Sequence, residues 1–249
     1  MPRVRSTAAS SPARAPSASQ KHTDARKSQY SESVANAVEE IDSLIGSGRL
    51  APGQRLIEAD LAGQLGLGRV PIREALRILA GDGVVELMPN RGARVRIFSH
   101  RHIAEMLRAL VALLCAGIEE FVESDSYADG MRRLDALNRE IADRRETMDG
   151  YGLLEVMARY QATIFEASGN TYLVEIHRRV HFHHYNRQII DAVGFVRLSR
   201  ITTVYTQATQ ALRKRDAARA STLFRKSMHE TVKLLEELAV AERARAAAR

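Results

Sequence analysis

Apolar residues recur at intervals of three and four from Val34 onward. Val34, Ala37, Val38, Ile41, Leu44 and Ile45 form one stripe and predict a helix from near Tyr30 to Gly46. Gly46 and Gly48 stop it, and Pro52-Gly53 marks a turn. A second, short helix is predicted over Glu58–Leu65, with Leu61 and Leu65 facing inward, before Gly66-Leu67-Gly68 breaks the chain. The third runs from about Val70 to Ala80 and buries Ile72, Leu76 and Leu79. Its first turn holds Pro71, where a missing N–H costs nothing. Beyond Gly81 and Gly83 the period shortens. Val84–Leu87 and Ala93–Ile97 read as two strands joined by a hairpin turn at Pro89-Asn90-Arg91-Gly92.

Helix, helix, turn, helix, hairpin is the order of a winged helix-turn-helix. After Ser99, an N-cap residue, the pattern is helical to the end. Stripes such as Ile103, Met106, Leu107, Leu110, Leu114 and Met131, Leu134, Leu137, Ile141 predict about six amphipathic helices packed on one another. The expected fold is therefore mainly α: an N-terminal winged helix-turn-helix of three helices plus a β-hairpin wing, then an all-α helical bundle. Residues 28–98 form the first unit and residues 99–240 the second. Residues 1–27, rich in Ser, Ala, Pro and Arg, have too little apolar surface to offset their ordering entropy and are expected to be a disordered basic tail. Residues 241–249, rich in Ala and Arg, are expected to fray.

Composition sharpens this reading in three places. The net charge is +7, and its position matters more than its size. Residues 1–27 carry six basic side chains against one acidic, residues 28–98 eight against nine, and the remainder twenty-three against twenty. The excess thus lies in the tail. No apolar run approaches the roughly 20 residues that span a bilayer, and the first residues lack the apolar core of a secretory signal. Cys115 is the only cysteine, which fits a reducing cytoplasm, and its apolar neighbours Leu114 and Ala116 suggest a buried structural thiol.

In a helix-turn-helix the second helix of the motif enters the major groove, and its N-terminal end reaches base edges. Here that end carries Gly68, Arg69, Val70 and Arg73, with Arg77 one turn on; the three arginines share the face opposite Ile72, Leu76 and Leu79. Arginine suits bidentate contact with guanine O6/N7 as well as phosphate. Arg91 and Gly92 at the hairpin tip are placed to approach the minor groove. Residues 65–97 hold six arginines against three acids, so this surface is basic although its unit is not. The plainer alternative, that these arginines pair with Glu74 or face solvent on an ordinary exposed helix, fits any one of them better than it fits the constellation.

Leu50-Ala51-Pro52-Gly53-Gln54-Arg55-Leu56, Leu61-Ala62, Gly68-Arg69-Val70-Pro71-Ile72-Arg73-Glu74-Ala75-Leu76, Leu79, Gly83, Asn90-Arg91-Gly92-Ala93 and Val95 together resemble the GntR family of transcription regulators. The resemblance implies that Arg69 and Arg73 contact an operator and that Gly92 marks the wing. Two positions depart from the family pattern: Gly68 and Val70 replace the usual hydroxyl residues flanking the first arginine. Their phosphate contacts are therefore missing, while Val70 is able to touch a thymine methyl.

The helical unit is similar to the ligand domain of the FadR-like subgroup, the FCD type. The matching landmarks are Leu107-Arg108-Ala109-Leu110, Glu119-Glu120, Phe165-Glu166-Ala167-Ser168-Gly169-Asn170 and Ala211-Leu212-Arg213-Lys214-Arg215-Asp216. Many such domains hold a metal through one Asp and three His. Aligned on the landmarks, those positions are Met157, Gln161, Tyr205 and Ser227 here, so no metal is expected there. The resemblance makes residues 99–240 an effector-binding and dimerisation domain, with Arg108 as the effector-facing cation and Gln161 and Tyr205 as neutral hydrogen-bonding groups. His177, His181 and His184 fall at i, i+4 and i+7 and predict one helix face extended by Gln188, with His183 pointing elsewhere. A face without function is the leading reading; a pocket wall containing His181 and His184, or a dimer surface, comes next, ahead of a relocated metal site, since no carboxylate nearby in sequence completes a ligand set.

These readings predict a bacterial, cytoplasmic homodimer, associated with the nucleoid when bound to DNA. It binds double-stranded operator DNA at an inverted repeat, acts as a repressor, and responds to a small-molecule effector such as an organic acid. No cofactor, catalytic residue or membrane partner is expected. The alternatives are a sequence-nonspecific DNA-binding protein using the basic tail and, further off, a helical-domain enzyme. The latter lacks any nucleophile–base pair, phosphate loop or paired-carboxylate motif.

Overall fold

Two separate hydrophobic cores organise the chain. The computed structural model describes residues 18–89, 92–144, 146–180 and 182–247, with side chains described from Ser31 onward except Val196 and Ala246. In the first core, helix α1 (Ala18–Gly46) buries Ala37, Ile41, Leu44 and Ile45 of the predicted stripe against α3 (Arg69–Gly81), which contributes Ile72, Ala75, Leu76 and Leu79. Between them lies α2 (Glu58–Leu65). Glu58 and Asp60 stand in its first turn, where negative charge complements the helix dipole, and Gly66 ends it in the left-handed conformation at φ 65°. The helix α3 follows after Gly66-Leu67-Gly68, with Gly68 extended at its N-cap.

The wing pairs β2 (Val85–Met88) with β3 (Gly92–Val95), Val85 opposite Val95 and Met88 opposite Gly92. A third strand, β1 (Arg55–Leu56), joins the other edge of β3, giving the order β1-β3-β2. Two residues are too few to show alternation, so β1 has no signature in the sequence. The hydrogen bonds Gly53 N–H to Val95 O and Val95 N–H to Gln54 O, both 2.9 Å, extend the ladder into the Pro52 turn.

The second core spans seven helices. The helix α4 (His100–Glu123) starts at Ser99, whose side chain accepts from the His102 N–H as an N-cap, and packs along α10 (Ala217–Ala247) and against α6 (Gly150–Ser168). Around them stand α5 (Tyr127–Asp143), α7 (Thr171–Arg179), α8 (Asn186–Val193) and α9 (Phe195–Arg213), with a 3-10 turn at Phe182–Tyr185. Cys115 is buried, and burial pushes its thiol up from the ordinary range, as befits an inert packing residue.

Three expectations are corrected. The helix α1 begins at Ala18, inside the stretch expected to be disordered. No Gly or Pro interrupts residues 18–45, and its Ala, Gln, Lys and Arg are good helix formers. The helix α10 continues to Ala247 rather than fraying after 240, for the same reason of composition. Finally, the expected single face of His177, His181, His184 and Gln188 does not exist, because α7 ends at Arg179 and the 3-10 turn intervenes before α8.

Candidate DNA interface and effector cavity

The exposed side of α3 faces the wing across an open cleft of about 560 Å³. Arg55, Arg69, Arg73 and Arg77 line it, with Gly92 at the far side. Helical spacing puts Arg69, Arg73 and Arg77 on one edge because Ile72, Leu76 and Leu79 occupy the core. Arg73 is held by a fork of three hydrogen bonds to Glu58: Nε to Oε1 at 3.0 Å, Nε to Oε2 at 3.1 Å and Nη2 to Oε2 at 2.8 Å. This pair holds the Glu58 carboxyl below the usual range, first through the hydrogen bonds and then through the arginine charges around it. A depressed carboxylate stays ionised from about pH 5 upward, so the clamp is intact at neutral pH and lost only as pH falls through the lowered value. Arg77 pairs with Glu74 at 2.7 Å, while Arg69 makes no ion pair among the described residues.

Gly68 offers no side-chain cap, so the first N–H groups of α3 gain no side-chain acceptor from it. Val70 is 55% exposed beside them. Gly92 adopts φ 81°, and a Cβ there would stand 2.5 Å from the Leu56 carbonyl oxygen. Only glycine lets β3 close against β1 at this point. Arg91, assigned to the wing tip from sequence, lies outside the described residues. Glu58 and Arg55 were not assigned from sequence. Their roles depend on the packing of α2 and β1 beside α3, fifteen or more residues away, which no local pattern records.

In the bundle, Met157, Gln161, Tyr205 and Ser227 line one small cavity of about 50 Å³, together with Leu107 and Ile201. Gln161 Nε2 donates to the Tyr205 hydroxyl at 3.1 Å, and Gln161 Oε1 is buried without a partner among the described residues. Burial pushes the Tyr205 hydroxyl up to about 12, so it stays neutral. The Tyr205 ring stands edge-on to Tyr160 and Phe224, which fixes its direction. A thioether, an amide, a phenol and an alcohol bring no anionic donor to a divalent ion; this cavity does not fit a metal. It does fit a neutral polar group, with an acceptor at Gln161 and a hydroxyl at Tyr205. Tyr205→Phe is expected to cost about 1–2 kcal/mol by leaving the Gln161 amide unpaired. Gln161→Met/Tyr205→Phe recovers most of that loss, because removing both partners leaves nothing unsatisfied. Urea unfolding of the two variants measures the difference.

The other assigned residues lie elsewhere. Arg108 does not face the cavity: it pairs with Glu236 on the surface between α4 and α10. Its neighbour Leu107 lines the cavity, and one residue further along a helix turns about 100° away. His184 and His183 both contact Asp42 of α1, so His183 does not point elsewhere. His177 packs against Phe165, Gln188 grips the Phe98 backbone, and His181 lies outside the described residues. Beside the small cavity a larger open groove of about 720 Å³ runs between α9 and α10. It shares Ile201, Ser227 and Thr231 with the cavity and carries Arg197, Arg200 and Lys226, with Glu230 also on its wall.

A winged helix whose third helix carries an arginine-lined edge is joined to a helical bundle with an internal polar cavity. Residues 34–95 match the gntR family of bacterial regulatory proteins and residues 105–230 match the FCD domain. The chain belongs to the gntR family and carries an FCD domain. It is 28% identical over 129 residues to the HTH-type transcriptional regulator McbR of Escherichia coli, covering 52% of this chain and 58% of that one. Over 83 residues it is 35% identical to a "Probable D-xylose utilization operon transcriptional repressor" of Paenarthrobacter nicotinovorans, covering 33% and 36%. The matches to the first curated relatives span half their length or less. The fold is that of the E. coli McbR/YncC structure, with TM-score 0.72 at 21% identity over 83% of this chain and 98% of that one. The structure titled "a putative transcriptional regulator GntR from Rhodococcus sp. RHA1" superposes with TM-score 0.69 at 20% identity over 82% of this chain and 97% of that one. These relatives are transcription regulators by name, not enzymes. No described helix is long and apolar enough to cross a membrane.

Proposed function

We propose that this protein is a cytoplasmic repressor that binds an inverted-repeat operator as a homodimer and releases it when a small anionic metabolite binds the helical bundle. The observation that carries the proposal is the cleft where Arg55, Arg69, Arg73 and Arg77 converge between α3 and Gly92 of the wing. The start of α3 delivers Arg69 and Val70 to base edges in the major groove, and Arg73 and Arg77 follow one and two turns on. Glu58 holds Arg73 in a fixed direction before DNA arrives, which lowers the ordering cost of binding. In the bundle, Arg197, Arg200 and Lys226 give the groove between α9 and α10 the charge to attract a carboxylate or phosphate. The groove leads to the neutral polar pair Gln161–Tyr205.

Selection of binding sites from random duplex DNA by the purified full chain tests this reading. An inverted repeat whose half-site centres lie about 10 base pairs apart, or a multiple of that, supports it. Recovery of no shared sequence overturns it and leaves nonspecific phosphate binding. Glu58→Gln separates the two contributions of Arg73. Removing an anion from a phosphate-facing surface is expected to raise affinity for unrelated DNA by about 3- to 10-fold, while loosening Arg73 narrows the preference for the selected site. Fluorescence anisotropy with both duplexes reads the ratio.

A further inference from the structure

A polar cluster outside both the DNA-facing cleft and the bundle cavity ties the two units together. Asp42 on α1 places Oδ2 at 2.5 Å from His183 Nε2 and Oδ1 at 2.5 Å from His184 Nε2. Potential ligand atoms of the three residues all lie within 4.8 Å of one another. The His184 side chain is 2% exposed, Asp42 22% and His183 37%, so the cluster is largely enclosed. The imidazole centroids stand 4.2 Å apart. Among the described residues this is the one grouping of three or more His, Cys, Asp or Glu able to surround an ion.

We propose that Asp42, His183 and His184 form a site for a divalent transition-metal ion, with zinc the first candidate, that clamps α1 to the helical bundle. Two imidazoles and one carboxylate are the donor set of three-protein-ligand zinc sites, with solvent in the remaining position. Nitrogen donors favour zinc, cobalt and nickel over magnesium and calcium. Without an ion, one carboxylate must accept from both Nε2 atoms, which requires a hydrogen on each. With an ion, both rings offer lone pairs instead, and the carboxylate balances part of the charge. Bonds of about 2.0–2.2 Å in tetrahedral array need donor atoms roughly 3.3 Å apart, so the side chains must part by less than about 1 Å.

Two further features point the same way. Asp42 and His183 line a cleft of about 360 Å³ together with His177. The His177 Nε2 is buried with no partner among the described residues, and burial holds its pKa below the ordinary imidazole range, leaving another neutral nitrogen donor on the same wall. At the end of α1, a Cβ on Gly46 would stand 2.5 Å from His183 Cδ2, so only glycine lets this imidazole lie against the helix and reach Asp42. The site is separate from Met157, Gln161, Tyr205 and Ser227. It joins residues 141 and 142 positions apart across the two cores, so an ion there constrains how the N-terminal unit is held.

Cobalt(II) titration of the chelator-stripped full chain is the test, and it contains no DNA, so its outcome is independent of the operator proposal. The expected result is the visible ligand-field absorption of a four-coordinate ion, saturating at one equivalent per chain and displaced by zinc. Asp42→Asn and His183→Ala are each expected to weaken binding at least about tenfold while retaining wild-type circular dichroism. These variants keep the buried His184 in place, which guards against loss of fold. Absence of saturable binding overturns the assignment. So does binding that persists unchanged in both variants, since the ion is then held by other histidines.

Discussion

The Arg69→Ala/Arg73→Ala double variant is expected to lose at least about 100-fold in affinity for the selected operator, because each bidentate arginine–base contact contributes about 1–3 kcal/mol. The fold should survive. Arg73 is 51% exposed, so water screens its ion pair with Glu58 and the pair adds little to stability. The two side chains stand one helical turn apart on the same edge of α3, so their separate losses are not expected to add simply. Anisotropy titration with the selected duplex gives the affinity, and thermal melting shows that the loss is one of contacts rather than of folding. A double variant that binds the operator within threefold of wild type removes α3 from the interface.

Gly92→Ala is expected to be the most damaging small substitution in the N-terminal unit. Its φ of 81° costs an alanine about 1–2 kcal/mol, and the new Cβ would meet the Leu56 carbonyl oxygen at 2.5 Å, a backbone atom with no rotamer to escape into. Relief requires β3 to part from β1, which breaks the pairing of Leu56 with Ala93. A loss of about 3 kcal/mol follows, seen as a fall of roughly 10 °C or more in the melting of this unit. Gly63→Ala provides the control: it sits in α2 with open space around its Cα and should be neutral or mildly stabilising.

The elements legible from sequence are those whose signal is local. Glu58–Leu65 follows from a periodic stripe closed by Gly66, and α3 follows from an apolar face opposite three arginines spaced by four. Landmarks aligned Met157, Gln161, Tyr205 and Ser227, and the structure draws all four around one cavity although seventy residues separate them. What escaped was set by tertiary packing. The strand β1 is two residues long and exists because β3 lies beside it. Arg108 was placed by resemblance, yet the register of α4 turns Leu107 inward and Arg108 out to Glu236. The spacing of His177, His181 and His184 is compatible with one helical face. The break after Arg179 redirects His183 and His184 to Asp42, a carboxylate too distant in sequence to be counted as a partner.

The same break accounts for how the two units are joined. Gln188, at the start of α8, accepts from the Phe98 N–H at 3.0 Å and donates back to the Phe98 carbonyl, fixing the segment that leaves the wing. The Phe98 ring packs against Tyr185 at 4.5 Å and His102 at 5.1 Å. Asp42 then grips the intervening turn through His183 and His184. The bundle is thus tied through Gln188 to the segment that leaves the wing and through His183 and His184 to α1, and α1 packs directly on α3. Coupling of a few kcal/mol is ordinary for such a contiguous path.

The central claim is that the α3–wing cleft reads sequence rather than charge alone. Its most direct test is the ratio of dissociation constants for the selected inverted repeat and a scrambled duplex of equal length, measured with the full chain at low and physiological salt. A sequence reader is expected to show a ratio of about 10³ or more at physiological salt, with both constants weakening as salt rises. A ratio near one at both salts, with the same steep salt dependence for the two duplexes, contradicts the account.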